Sequence, residues 1–177
     1  MPSGFFQYEP SFKRAGVSIR AQAWFTKEWI CKCGAWPSAA APQGPVLKLL
    51  KRHWSNDDPA AIGNQSGIFF SMWIDANDMS RLRFNIHALK LRELKGYTLE
   101  SRKFATAFRS VFAPLGSSWP KHSDDFGPQT LVEGKMPASP EGIDKLLVGL
   151  AAKFVSASMV IDRLLEAAKK PATKRLF

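Results

Sequence analysis

The chain has 177 residues, 45% of them apolar and 23% charged, a balance that suits one globular domain and excludes an intrinsically disordered chain. That length buries enough apolar surface to fold without disulfides or a structural metal. The formal charge of +10 points to an anionic partner, nucleic acid before an acidic protein or a membrane surface.

Residues 1–15 carry Phe5, Phe6, Tyr8 and Phe12 around Pro2 and Pro10 and read as an irregular aromatic arm packed on the body. Gly16 opens an alternation: Val17, Ile19, Ala21, Ala23 and Phe25 face one way, and Ser18, Arg20, Gln22, Trp24 and Thr26 the other. Period two predicts a strand over 17–26. Residues 34–45 are a Gly/Pro/Ala connector. Pro45 suits the first turn of a short helix, Val46 to Trp54, with Val46, Leu49 and Leu50 on one face.

After a polar loop, residues 68–75 (IFFSMWID) are apolar on both faces, as in a central strand covered on both sides. A second strand is predicted over 81–92. Leu82, Phe84 and Ile86 face inward, and a bulge near His87-Ala88 restores the phase at Leu89 and Leu91. That register puts Lys90 and Arg92 on one outer face with Arg81 and Arg83. The competing reading is a helix from about Ala88 to Lys95 capped by Gly96. Ser101 can N-cap a helix over 102–112, with Phe104, Ala105, Phe108, Val111 and Phe112 as its apolar stripe and Pro114 and Gly116 as its stop. Within the loop region 114–138, Gln129 to Val132 suggests a brief strand. Ser139-Pro140-Glu141 is a helix start, and the helix runs over 140–169 to the stop at Pro171.

The expected fold is α+β: one domain over residues 1–170, then a basic tail at 171–177. Its mainly antiparallel sheet, built on 17–26, 68–75 and 81–92, packs against the helices at 102–112 and 140–169. The seam Ile143, Leu147, Leu150, Phe154, Ala157, Ile161, Leu164 and Ala168 keeps a 4-3 rhythm. Its first half is expected on the sheet. The second half, Ala157 to Ala168, is expected to project toward a protein partner or a second copy of the chain.

Cys31 and Cys33 are too few and too close for a disulfide framework. Neither a signal peptide nor an apolar run of membrane-spanning length is read. A cytoplasmic protein with no membrane association is the expectation.

The chain has no Gly-rich phosphate loop, G-x-G-x-x-G, H-E-x-x-H or G-x-S-x-G. Cys31 and Cys33 would need two of His53, His87 and His122 to complete a zinc site, and His122-Ser-Asp124-Asp125 reads as a solvated turn before it reads as a cation loop. No metal and no cofactor are expected. One arrangement has catalytic chemistry. Asp75 ends a buried strand, and Glu93-Leu94-Lys95 follows the next one. Two acids can share Mg²⁺ while the lysine orients water. The stretch loosely resembles the restriction-endonuclease-like nucleases, although Ile74 stands where that pattern has proline. The resemblance implies Asp75, Glu93 and Lys95 as a catalytic set.

The charge excess has an address. Arg81, Arg83, Lys90, Arg92, Lys95, Arg102, Lys103 and Arg109 are opposed only by Glu93 and Glu100 in that stretch, and Lys169, Lys170, Lys174 and Arg175 have no acid beside them. Elsewhere 13 basic and 13 acidic residues cancel. Arginine forks suit phosphate, and Trp24 or Tyr97 would serve as stacking platforms. With no base-reading motif in the chain, contacts are expected mainly with the nucleic-acid backbone. The leading expectation is a non-enzymatic nucleic-acid-binding domain using Arg81, Arg83, Lys90, Arg92, Arg102, Lys103 and Arg109. The alternatives are a protein-interaction subunit working through the C-terminal helix, and the Mg²⁺-dependent nuclease.

Overall fold

The computed structural model describes residues 4–35, 44–56, 62, 66–75 and 77–171. Its elements in chain order are α1 (Glu9–Arg20), β1 (Trp29–Ala35), β2 (Pro45–Lys51), β3 (Gly67–Ile74), β4 (Arg81–Leu89), α2 (Ser101–Gly116), β5 (His122–Ser123), β6 (Thr130–Pro137) and α3 (Ile143–Ala167). The strands form one sheet in the order β1-β2-β3-β4-β6-β5, antiparallel at every pairing. The α+β architecture and the long C-terminal helix match the sequence reading. Several elements do not.

Residues 17–20 belong to a helix, not to a strand over 17–26. Tyr8, Phe12, Ala15 and Ile19 are all buried, and their spacing of four, three and four is a helical stripe. It begins inside the stretch read as an irregular arm, and the alternation that starts at Val17 runs across it. Val17, an inward position of the supposed strand, is 66% exposed. Residues 45–51 are a strand rather than a helix. β2 lies between β1 and β3 and is buried on both faces, and a short apolar run of that kind carries no periodicity to separate helix from strand.

β4 keeps one phase throughout. Leu82, Phe84, Ile86 and Ala88 are all buried. The register does shift at the expected place, between Ile86 and His87, but the additional residue lies on the partner strand. Ile86 faces Val132 and His87 faces Thr130, so Leu131 is the bulge. The strand ends at Leu89 because Lys90 turns left-handed at φ 49° and leads into a 3-10 turn at Leu91–Glu93. α2 continues through Pro114 to Gly116 with Glu100, not Ser101, at its N-cap. α3 starts at Ile143, after Gly142 at φ 79°, a backbone conformation that costs glycine little.

The three helices cover one face of the sheet. α3 lies along it on Ile143, Leu147, Leu150, Phe154, Ala157, Ile161 and Leu165, all buried. Phe154 stacks on Phe70 with ring centroids 4.3 Å apart, and it meets Phe84 and Trp119 at 6.5 and 5.4 Å. The aromatic contacts continue from Phe70 to Trp54 and on to Trp29. Gly134 of β6 admits the Phe84 ring: a β-carbon there would sit 2.3 Å from Phe84 Cζ. The second half of α3 is core, which overturns its expected projection toward a partner. Asp162 holds it in place, accepting hydrogen bonds from Lys51, from His53 Nε2 at 3.0 Å and from Trp54 Nε1 at 2.8 Å. Among the described residues no helix is long and apolar enough to cross a membrane.

Phe154→Ala removes the ring on which the sheet-helix contact converges. It is expected to lower stability by about 3–5 kcal/mol, read from urea denaturation. Burial opposes ionisation of Asp162, but hydrogen bonds from His53, Lys51 and Trp54 outweigh it and hold the pKa at about 2, below the ordinary 3.8. A folded pKa below the unfolded one adds stability that is present above pH 3.8 and lost as the pH falls toward 2. Acid unfolding of Asp162→Asn should therefore show a flatter dependence over that window than the natural chain does.

Candidate functional site

The basic residues of the 81–109 stretch divide into those with protein partners and those without. Arg83 Nε donates to Asp75 at 2.6 Å and Nη1 to Glu133 at 3.1 Å. Arg81 lies 3.5 Å from Asp78. Arg109 is a carbonyl clamp, donating to Leu131, Phe126, Gly127 and Thr130 at 2.9–3.3 Å, which fastens α2 to the start of β6. Lys103 pairs with Glu100 at 2.7 Å. That hydrogen bond, together with the charges of Lys103 and Arg92, keeps Glu100 below the usual carboxylate range. Lys90, Arg92, Lys95 and Arg102 have no ion-pair partner among the described residues.

One strand face carrying Arg81, Arg83, Lys90 and Arg92 does not form, because β4 stops before Lys90. Lys90, Arg92 and Lys95 instead stand at the Leu89 end of the sheet, beside the end of α3. The Lys170 amide donates to Gly96 O at 2.9 Å and the Thr98 amide to Ala168 O at 2.8 Å, and Tyr97 bridges Lys169. A groove there is lined by His53, Asn56, Lys95, Tyr97, Lys169 and Lys170. This joins the two basic stretches of the sequence as far as Lys170; Lys174 and Arg175 lie outside the described residues. Neither expected stacking residue is open. Tyr97 is buried, and Trp24 packs edge-on against Phe25 and Trp29.

Asp75, Glu93 and Lys95 do not converge. β3 and β4 pair from Gly67–Leu89 to Ile74–Leu82, so Asp75 and Glu93 stand at opposite ends of a strand pair about 24 Å long at ~3.4 Å per residue. Asn56 holds the far pair, donating to Glu93 O and accepting from the Lys95 amide. Two carboxylates that far apart cannot share one Mg²⁺, so Asp75, Glu93 and Lys95 do not form a catalytic set. Cys31 and Cys33 lie on the helix-covered face, with the Cys33 thiol 3.3 Å from Phe12 O. Among the described residues no three His, Cys, Asp or Glu side chains group as metal ligands.

The opposite face of the sheet holds a site that the sequence reading missed. Lys48, Ser71, Asn85 and Glu133 are register partners across four strands. They form a polar row in the middle of a sheet whose other face is apolar. Lys48, Ser71 and Asn85 are buried. Lys48 Nζ donates to Ile62 O at 3.1 Å and lies 4.3 Å from the centre of the Phe69 ring. Ser71 donates to Asn85 Oδ1 at 2.5 Å, and Asn85 Nδ2 lies 2.7 Å from His87 Nε2. His87 Nδ1 is 3.2 Å from Gln129 O. A carbonyl only accepts, so Nδ1 carries the proton and Nε2 accepts from Asn85. Burial, and secondarily the charge of Lys48, pushes the His87 pKa below its ordinary value and outweighs the Gln129 hydrogen bond. At the rim Arg83 spans Asp75 and Glu133. Burial of Asp75 is offset by the Asn77 amide and the Arg83 guanidinium, which leave its pKa below the usual value. Ser71, Asn85 and Glu133 of the row, with His87 and the Asp75–Arg83 rim, border a cleft of about 380 Å³ with Trp73 on its wall. The available sequence signal was Ser71 and Asn85, polar residues inside two otherwise apolar strands.

No protein-family model matches the chain, and neither a curated protein nor a solved structure matches it.

The His87 ring is expected to remain the neutral Nδ1–H tautomer at pH 7, with an NMR titration midpoint below 6.5. Because the folded pKa is the lower one, His87 favours the fold above pH 6.5, and that contribution is lost as the pH drops through the folded pKa. Asn85→Leu removes the donor to Nε2 and should change the Nε2 chemical shift of His87 at neutral pH.

Proposed function

We propose that the protein is a non-enzymatic nucleic-acid-binding domain that grips the backbone through the basic end of its sheet, in the cytoplasm. The observation that carries this is the gathering of cations without acidic partners around one groove. Lys95 and Lys170 line the groove, Lys90 and Arg92 precede Lys95 in the same turn, Arg102 follows at the start of α2, and among the described residues none of the five forms an ion pair. Cations held apart from protein carboxylates stay available to phosphates, and each phosphate they neutralise releases condensed counterions. Lys169, which lines the groove, is paired only with the exposed Glu166, and Lys103 only with the exposed Glu100, and surface pairs of that kind hold weakly enough to give way to phosphate. Arg109, with its guanidinium engaged by four carbonyls, is left out of the footprint, and Arg81 and Arg83 are peripheral to it. The unpaired Cys31 and Cys33 thiols support a reducing compartment.

The combined variant Lys90→Ala, Arg92→Ala, Lys95→Ala and Lys170→Ala tests this by fluorescence anisotropy with labelled single-stranded and duplex oligonucleotides over a salt series. All four positions are exposed, so the melting temperature should hold. The slope of log K against log salt is expected to flatten by about 3 units, at roughly 0.7–0.9 per lost contact. Absence of binding at low salt, or an unchanged slope, would overturn the proposal.

A further inference from the structure

The cleft on the face opposite the helices has a lining ill-suited to a phosphate. Among the described residues that line it, the ionised groups are Asp75 and Glu133 against Arg83, Lys48 is buried behind that lining, and His87 is neutral. An anion entering it would meet two carboxylates. What the cleft offers is a planar array of acceptors and donors beside an aromatic ring. Arg83 Nη2 and the second carboxylate oxygen of Glu133 have no hydrogen-bond partner among the described residues, nor has the Trp73 indole N–H. Ser71 and Asn85, 0% and 3% exposed, keep a polar floor where apolar side chains would be cheaper to bury. The volume of about 380 Å³ is at the small end of ligand sites, on the order of 300–1,000 Å³, the scale of one base with its sugar.

We infer that this cleft receives one unpaired guanine from a single-stranded polynucleotide, an assignment that rests on the nucleic-acid reading above and gives it a substrate class. Bases splayed from a single strand are recognised by stacking on aromatic rings and by hydrogen bonds to their edges. Guanine sets two N–H donors, N1–H and the N2 amino group, next to the acceptors O6 and N7. The free Glu133 oxygen matches the donors, and the free Arg83 Nη2 matches the neighbouring O6. Adenine brings the N1 lone pair where guanine has N1–H, so it meets a carboxylate with an acceptor. Cytosine and uracil present a shorter edge and a smaller stacking surface to Trp73. No helix packs over this cleft, because all three lie on the other face of the sheet.

The test uses the full chain and free nucleosides, which carry no phosphate. Guanosine, adenosine, cytidine and uridine are titrated separately while the Trp73 indole N–H is followed by ¹⁵N-correlated NMR, assigned with Trp73→Phe. Guanosine is expected to shift that signal saturably and at least tenfold more tightly than the other three, the discrimination of a two-point base contact. Glu133→Gln, which keeps the shape of the side chain, should weaken guanosine about tenfold. The Lys90/Arg92/Lys95/Lys170 alanine variant should leave it unchanged. No saturable shift with guanosine, equal shifts with all four nucleosides, or a response to spermidine alone would overturn the assignment. If oligonucleotides bind and guanosine does not, the cleft assignment falls and the backbone reading stands. If guanosine binds and oligonucleotides do not, the backbone reading falls, and with it the polynucleotide as the source of the base, leaving the cleft as a site for the free nucleoside.

Discussion

The stacking of Phe154 on Phe70 is the contact on which the rest of the molecule depends. It seats a 25-residue helix on the middle of a six-stranded sheet, and Phe84 and Trp119 close around the same ring. Trp119 passes the packing to Phe112 and so to α2, while Trp54 passes it through Trp29 to the first strand. Aromatic rings at these separations contribute attraction beyond the area they bury. A ring this enclosed also sets the height of α3 above the sheet, since protein interiors tolerate little change in volume.

Because α1, α2 and α3 all lie on that side, the two faces of the sheet have different chemistry. The covered face is apolar apart from its margins, where Asp162 gathers Lys51, His53 and Trp54. The other face carries Lys48, Ser71, Asn85 and Glu133 in one line across the strands. A buried polar row is stable only when its members satisfy one another, and the Ser71–Asn85–His87 chain does so while fixing a histidine tautomer. The same rigidity suits a recognition surface, because groups already held in place lose little freedom on binding.

Charge is partitioned in a comparable way. Arg109 is a structural member held by four carbonyls, and Arg83 is anchored between two carboxylates with only Nη2 left over. The cations at the end of the sheet have no such duties. Net charge therefore overstates the anion-binding surface of this chain, and the partners of each arginine decide how much of it faces outward. The proposed base cleft and the proposed backbone groove are separate in composition: one has two carboxylates, an arginine and an aromatic wall, the other is basic with amide and hydroxyl lining.

The amino-acid sequence determined the elements whose periodicity is long or whose burial is two-sided. The stripe of α3, that of α2 and the apolar run of β3 could each be read from spacing, because a helix or a covered strand repeats its pattern enough times to be distinctive. The basic composition was equally legible, and so was the polarity of Ser71 and Asn85 inside apolar strands. What only the tertiary structure decided was everything that needs a neighbour. Residues 46–51 are a strand because β1 and β3 flank them, although the run itself fits either period. Lys90 leaves the strand because the backbone turns left-handed there. Asp75 and Glu93, close to the ends of consecutive strands in sequence, stand apart because antiparallel strands place the start of one beside the end of the other. The polar row exists for the same reason: four side chains from residues 48, 71, 85 and 133 meet only through strand register, a long-range quantity that local pattern does not encode.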